Sequence, residues 1–122
     1  MAAARTLVIK VTSGLDDAER CNQTFTVAAT AVASGAQVSL WLTGEASWFA
    51  LPEKAKEFDL PHAAPLDELL AAVLAGGTVT LCTQCAKRRE IGEADVIEGI
   101  RVAGAPVFTE EVLGAGVQAL VY

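Results

Sequence analysis

The stretch Thr78-Val-Thr-Leu-Cys-Thr-Gln-Cys-Ala-Lys-Arg-Arg89 decides how the chain is read. Thr78 to Leu81 is a short run of β-branched and apolar residues behind a Gly-Gly pair, the pattern of a buried strand. It ends at Cys82, and the residues after it carry no glycine or proline, so a helix is expected to start there. A strand that delivers a cysteine to a helix start sets its sulfur among backbone N–H groups with no intrahelical partner, and both those groups and the helix dipole favour the thiolate. On such a helix Arg89 lies seven residues on from Cys82 and four from Cys85, so its guanidinium can reach back along one face. Lys87 and Arg88 add positive potential.

Upstream, Pro65 opens a helix in which Leu66, Leu69, Leu70, Val73 and Leu74 form one apolar stripe, closed by Gly76-Gly77. Further back, Leu7-Val-Ile-Lys-Val11 and Gln37-Val-Ser-Leu-Trp-Leu42 read as strands buried on both faces, as in a parallel sheet. Between them a helix is expected from about Asp17 to Ala33. Asp16 and Glu19 make a capping-box pattern, Cys21, Phe25, Ala28 and Val32 form a stripe, and Gly35 suits the left-handed cap. Pro52 to Leu60 reads as a short helix over a sheet edge, and Glu93 to Ile100 as another, with Val96, Ile97 and Ile100 inward. Ala105 to Phe108 is expected extended, Thr109 to cap a short helix over Glu110 to Leu113, and Val117 to Tyr122 to close the chain as a strand. This alternation predicts an α/β fold: a single-domain, open, mostly parallel sheet with helices on both faces.

The chain's 122 residues suit one domain over residues 1–122, and 52% apolar residues suffice for a core. A net charge of −6 with one compact basic cluster argues against direct nucleic-acid binding. No apolar run is long enough to span a membrane, and Met1-Ala-Ala-Ala-Arg5 lacks the pattern of a signal peptide, so the cytoplasm is the expected location. Three cysteines in a reducing compartment argue against a disulfide framework. Neither a Gly-x-Gly-x-x-Gly after the first strand nor a P-loop is present, so dinucleotide binding and nucleotide hydrolysis are not expected. No cofactor is expected.

Loops at the carboxyl ends of parallel strands line ligand crevices. Thr12, Ser13 and Gly14 after the first strand, and Gly44 and Trp48 after the second, are therefore the candidate ligand-binding residues beside Cys82. The bland alternatives are tight turns and loop packing. Cys21 sits on an apolar helix stripe and reads as core. His62, the single histidine, lies between Pro61 and two alanines and reads as solvated.

Three chemistries compete for Cys82 and Cys85: a nucleophilic or sulfur-carrying thiolate, a dithiol–disulfide redox pair, and half of a zinc site. Zinc needs four ligands, and only Cys21 and His62 remain to supply soft ones, so no metal is expected. Two small residues packing at a helix start is the structural alternative.

Over nearly its full length the chain resembles the DsrE/DsrF-like sulfur-relay family, which is related to the TusD-type sulfur-transfer subunits and includes the small subunits that pass persulfide sulfur during tRNA thiolation and dissimilatory sulfur oxidation. The likeness is carried by Leu7–Val11 with its loop, by the Asp17-Ala-Glu-Arg20 entry to an alanine-rich helix, and by the Gly35-Ala-Gln-Val38 lead into a strand ending Trp41-Leu-Thr-Gly44. The Leu81-Cys82 strand end, followed by Arg88-Arg89, completes it. The resemblance implies an intracellular sulfur-relay protein that carries sulfane sulfur on Cys82, a persulfide carrier rather than a full catalyst. Arg89 would give electrostatic support. Cys85 departs from the family pattern, since the relay does not require it: it is either a resolving thiol for Cys82 or the functional thiol itself. The resemblance also implies sulfur donor and acceptor proteins and a homo-oligomer, a trimer or hexamer. The alternatives are a non-catalytic oligomeric module binding a small ligand or protein, and a Cys82/Cys85 redox switch.

Overall fold

The computed structural model describes residues 5–122; the expectation about a leader peptide rests largely on residues 1–4, which lie outside them. Five parallel strands form one sheet: β1 (Thr6–Val11), β2 (Gln37–Leu42), β3 (Thr78–Cys82), β4 (Arg101–Ala103) and β5 (Val117–Val121), in the order β4-β3-β2-β1-β5. The central register pairs Ile9 with Leu40 and Leu42 with Leu81. Period-two alternation sorts each strand's side chains between two faces. Ile9, Val11, Val38, Leu40, Leu42, Val79 and Leu81 point into the main core.

Helices α1 (Ala18–Ala33) and α2 (Leu66–Gly76) cover that face. Cys21, Phe25, Ala28, Leu66 and Val73 are fully buried there. Gly76 lets the two helices approach, since a Cβ would strike Val32 Cγ1. The cap of α1 differs from the expected box: Asp17, not Asp16, accepts from the Arg20 N–H at 3.3 Å, and Asp16 instead accepts from the Gly14 N–H at 2.7 Å. The Asp16 carboxylate thus fastens the loop after β1 and is lost to the helix.

The other face carries a different helix, α4 (Ala105–Val112), and a polar seat. Glu111 accepts from Ser39 Oγ at 2.7 Å, from Trp41 Nε1 at 3.0 Å and from Arg101 at 2.6 Å, while Arg101 Nε donates to Thr80 Oγ1 at 2.8 Å. Phe108 meets the Trp41 ring edge-on at 5.3 Å, and Lys10 Nζ stands 4.2 Å over the Phe108 ring. No residue of α4 is fully buried, so the helix is held by these contacts and not by a core stripe.

Three expectations fail where hydrophobic spacing misled. Pro52–Leu60 holds no α-helix: a turn at its start runs into a single 3-10 turn, Ala55–Glu57, which lies against α2 and not over a sheet edge. Glu93–Ile100 is not a helix but two turns, Glu93–Asp95 and one closed by the Ile100 N–H on the Ile97 carbonyl at 3.1 Å; between them Ile97 donates its N–H to the Ala50 carbonyl at 2.9 Å, which no helix would permit. Ala105–Phe108 is not extended: Pro106 lies in the first turn of α4, where its missing N–H is harmless. Strand β4, three residues with a basic first position, was not foreseen.

Candidate functional site

Cys82 ends β3 and caps the short helix α3 (Thr83–Arg88). Alternation along β3 sends its side chain to the α4 face, where it is half-buried. It opens on a cavity of ≈ 160 Å³ walled by Lys10, Trp41, Thr43, Gln84 and Cys85 on one side and by Ala105 and Phe108 of α4 on the other. Partial burial pushes the Cys82 thiol up. The Cys85 backbone N–H and side chain, the Gln84 N–H and the Lys10 charge together outweigh it, and the net shift is downward. Cys82 holds the N-cap position of α3 without closing a side-chain capping hydrogen bond, and the N–H groups of Gln84 and Cys85, the second and third helical residues, lie on the side of its sulfur. Its environment favours the thiolate.

Cys85 is buried one turn on, and its sulfur accepts from the Gly44 N–H at 3.4 Å. Arg89 does reach back, but to other partners. Nε and one Nη donate to Glu45 Oε2 at 3.1 and 2.8 Å, and the other Nη donates to the Cys85 carbonyl at 3.2 Å. Arg89 therefore ties α3 to the loop after β2, and Lys10 is the cation that acts on Cys82. Cys21 lies in the core, its thiol pushed up to about 12 by burial with Asp16 and Asp17 adding to it. His62 is exposed, at a φ of 62°. Among the described residues, no group of three or more His, Cys, Asp or Glu side chains is placed to share a metal ion.

The loops expected to line a crevice behave differently. Thr12 Oγ1 donates to the Tyr122 carbonyl at 2.6 Å. Ser13 is buried, its hydroxyl without a partner among the described residues. A Cβ on Gly14 would stand 2.6 Å from the Glu45 carbonyl, and one on Gly44, whose φ is +53°, would strike the Thr12 carbonyl. The two loops are thus pressed together at Gly14 and Gly44. Thr43, at the head of the second loop, lines the Cys82 cavity, and Gly44 meets its wall through the N–H it donates to Cys85. Trp48 lies elsewhere, in a separate cavity of ≈ 300 Å³ with Leu15, Glu45 and Phe49.

The sequence profile of the DsrE/DsrF-like family matches residues 6–116. The chain belongs to the DsrE/DsrF-like family. Among solved structures, the YchN protein from E. coli is 16% identical with a TM-score of 0.79, covering 98% of this chain and 100% of its own. A protein of unknown function from Methanobacterium thermoautotrophicum is 11% identical at a TM-score of 0.67, with 98% and 100% covered. A conserved protein of unknown function from Bacteroides thetaiotaomicron is 18% identical at 0.60, with 96% and 94% covered. No curated protein sequence matches the chain. At these identities the structures share the DsrE-like fold.

In this DsrE-like chain, the sequence places Cys82 at the strand end where the structure has it, but most of the cavity beside it is not legible there. Lys10, Trp41 and Thr43 read in the sequence as strand and loop residues, although position parity is a usable signal. Lys10, Trp41 and Cys82 all lie on the strand face opposite Ile9, Leu40 and Leu81. Phe108 and Ala105 were out of reach because their helix was expected as an extended segment.

Proposed function

We propose that the protein is a sulfur-relay carrier that holds sulfane sulfur as a persulfide on Cys82 and passes it to a partner. The observation that carries this reading is a thiol favoured as thiolate at the mouth of a small cavity, with backbone N–H groups and Lys10 facing it. DsrE/DsrF-like membership supports the same chemistry. In loading, the Cys82 thiolate attacks the outer sulfur of a donor persulfide. A new S–S bond forms, the donor S–S bond breaks, its electron pair leaves on the donor thiolate, and the outer sulfur's proton stays on the carrier persulfide. Unloading runs the same exchange with an acceptor thiolate attacking the outer sulfur. The N–H groups and the Lys10 charge that favour a thiolate also favour a perthiolate.

We further propose a cytoplasmic homo-oligomer, a trimer or hexamer, exchanging sulfur with donor and acceptor proteins. The exposed edge strand β5, with Leu120 and Val121 uncovered, and the exposed Leu113 behind α4 support an interface on that side. No helix among the described residues is long and apolar enough to cross a membrane.

A second reading, a redox switch, draws on the Cys85 side chain facing the Cys82 sulfur. The deciding experiment loads wild type and Cys82→Ser with a low-molecular-weight persulfide and maps added sulfur by mass spectrometry. Uptake on Cys82 that the variant lacks supports the carrier. Equal uptake by both overturns it. A two-dalton mass loss on mild oxidation, without added sulfur on exposure to the donor, favours the switch.

A further inference from the structure

Helix α4 raises a question that sulfur carriage does not answer. It forms one whole wall of the Cys82 cavity, through Ala105 and Phe108, yet buries none of its own residues. A helix without an apolar seat owes its position to a few specific contacts. Here they converge on one carboxylate. Glu111 takes hydrogen bonds from Ser39 and Trp41 of β2 and from Arg101 of β4, and its side chain is 23% exposed. Arg101 is in turn fixed by Thr80 Oγ1 and stacks its guanidinium 5.4 Å over the Trp41 ring. Trp41 is therefore held by Glu111 at its indole N–H, by Arg101 at its face and by Phe108 edge-on. Trp41 and Phe108 are the two aromatic walls of the cavity.

From this network we infer that Glu111 is a positioning residue, seating α4 so that Phe108 and Ala105 close the outer side of the Cys82 cavity and limit the size of the reactant that reaches the sulfur. Small reactants enter the cavity with α4 in place. A thiol carried on a bulky molecule requires α4 to move, and so requires the Glu111 contacts to break. The inference rests on Cys82 being the reacting group, but it holds for any electrophile that Cys82 attacks.

The test compares two alkylating reagents on the full chain. Iodoacetamide is small, and a polyethylene-glycol maleimide is bulky. Both need the same thiolate, so their rate ratio at Cys82 cancels any change in its acidity and reports access. Relative to wild type, Glu111→Ala should raise the bulky-to-small ratio by about tenfold, the change in open population expected when hydrogen bonds to one charged group are lost. Glu111→Gln keeps the volume and an acceptor but not the charge facing Arg101, and should give a smaller rise. Phe108→Ala removes the wall without touching the carboxylate and should raise the ratio as well. Glu110→Gln, one residue away and exposed, should leave it unchanged.

An unchanged ratio in folded Glu111→Ala overturns the inference. If that variant does not fold, Glu111→Gln and Phe108→Ala decide by the same reading, and two unchanged ratios overturn it. Persulfide uptake is measured on the same samples. Loss of uptake at wild-type Cys82 with the predicted ratios sinks the carrier and leaves the positioning role. Normal uptake with flat ratios does the reverse.

Discussion

Lys10 and Cys82 stand two strands apart on the same face of the sheet, with Trp41 between them, and the Lys10 charge is among the groups that favour the Cys82 thiolate. Lys10 is held over Phe108, so its position is set by the same helix that walls the cavity.

Lys10→Met keeps the length of the side chain and removes the charge. The Cys82 thiol should then titrate at higher pH than in wild type. Its alkylation rate at neutral pH should fall by about threefold, as one partly screened charge is lost. Added salt should narrow the gap between the two proteins, because part of the attraction passes through solvent. A pH profile of iodoacetamide labelling at low and high salt measures both effects. Coincident profiles would show that the backbone N–H groups suffice.

The three cysteines should separate cleanly. In the native protein Cys82 is the thiol that alkylates, while Cys21, with its thiol pushed up to about 12 and no exposed surface, should label only after unfolding. Peptide mapping after brief labelling, with and without denaturant, gives the answer. Comparable native labelling of Cys21 would contradict the packing of α1.

How much of this was legible beforehand depends on what encodes each part. The strands β1, β2 and β3 and the helices α1 and α2 bury apolar stripes of regular period, and period is what a sequence displays. Cys82 was legible because strand end and helix start coincide there. The α4 side was not, because its helix is held by Glu111 reaching residues 70 and 72 positions earlier, and long-range polar contacts leave no periodic trace. Arg89 was correctly placed on the Cys85 face of its helix. The reading of its partner failed because Glu45, on another element, offers a carboxylate where a thiol was expected.

Cys85→Ala tests whether the second thiol resolves the first. On a loaded carrier, a Cys85 thiolate would attack the inner sulfur of Cys82, forming the Cys82–Cys85 disulfide as hydrosulfide leaves with the electron pair. An external dithiol would then reset the pair. Without Cys85, hydrosulfide release from loaded protein should slow by at least about threefold, while uptake on Cys82 persists. Time courses of released sulfide on wild type and variant decide. Equal release rates would leave Cys85 as packing against Gly44.

Glu111 makes a prediction in pH. Burial pushes its carboxyl up, but the hydrogen bonds from Ser39, Arg101 and Trp41 and the Arg101 charge outweigh that, so its folded pKa lies below the ordinary glutamate value. A depressed folded pKa means the unfolded chain binds the proton first. The contribution to stability is therefore complete above the unfolded value, about 4.3, and is lost as pH falls from there through the lower folded value. Denaturant unfolding of wild type and Glu111→Gln should differ by about 1–2 kcal/mol at neutral pH, and the difference should shrink across that acid window. A difference that stays constant down to low pH would show that Glu111 is not the titrating group.

Gly44 and Gly35 both adopt left-handed backbone, with φ of +53° and +90°, yet alanine should not cost the same at each. At Gly35 nothing lies within 4 Å of a Cβ, so the substitution meets only the left-handed penalty, about 1 kcal/mol. At Gly44 the Cβ would also strike the Thr12 carbonyl, which is backbone and cannot turn aside. The loop must then lift, parting it from Thr12–Gly14 and drawing the Gly44 N–H away from Cys85. Gly44→Ala should therefore cost about 2–4 kcal/mol, strain added to a lost loop contact, and should also raise the native labelling rate of Cys85. Gly35→Ala should leave that rate unchanged. Chemical denaturation with thiol mapping reads both quantities on one set of samples. Equal costs for the two variants, with Cys85 still protected, would mean that the loops after β1 and β2 do not brace the cysteine segment.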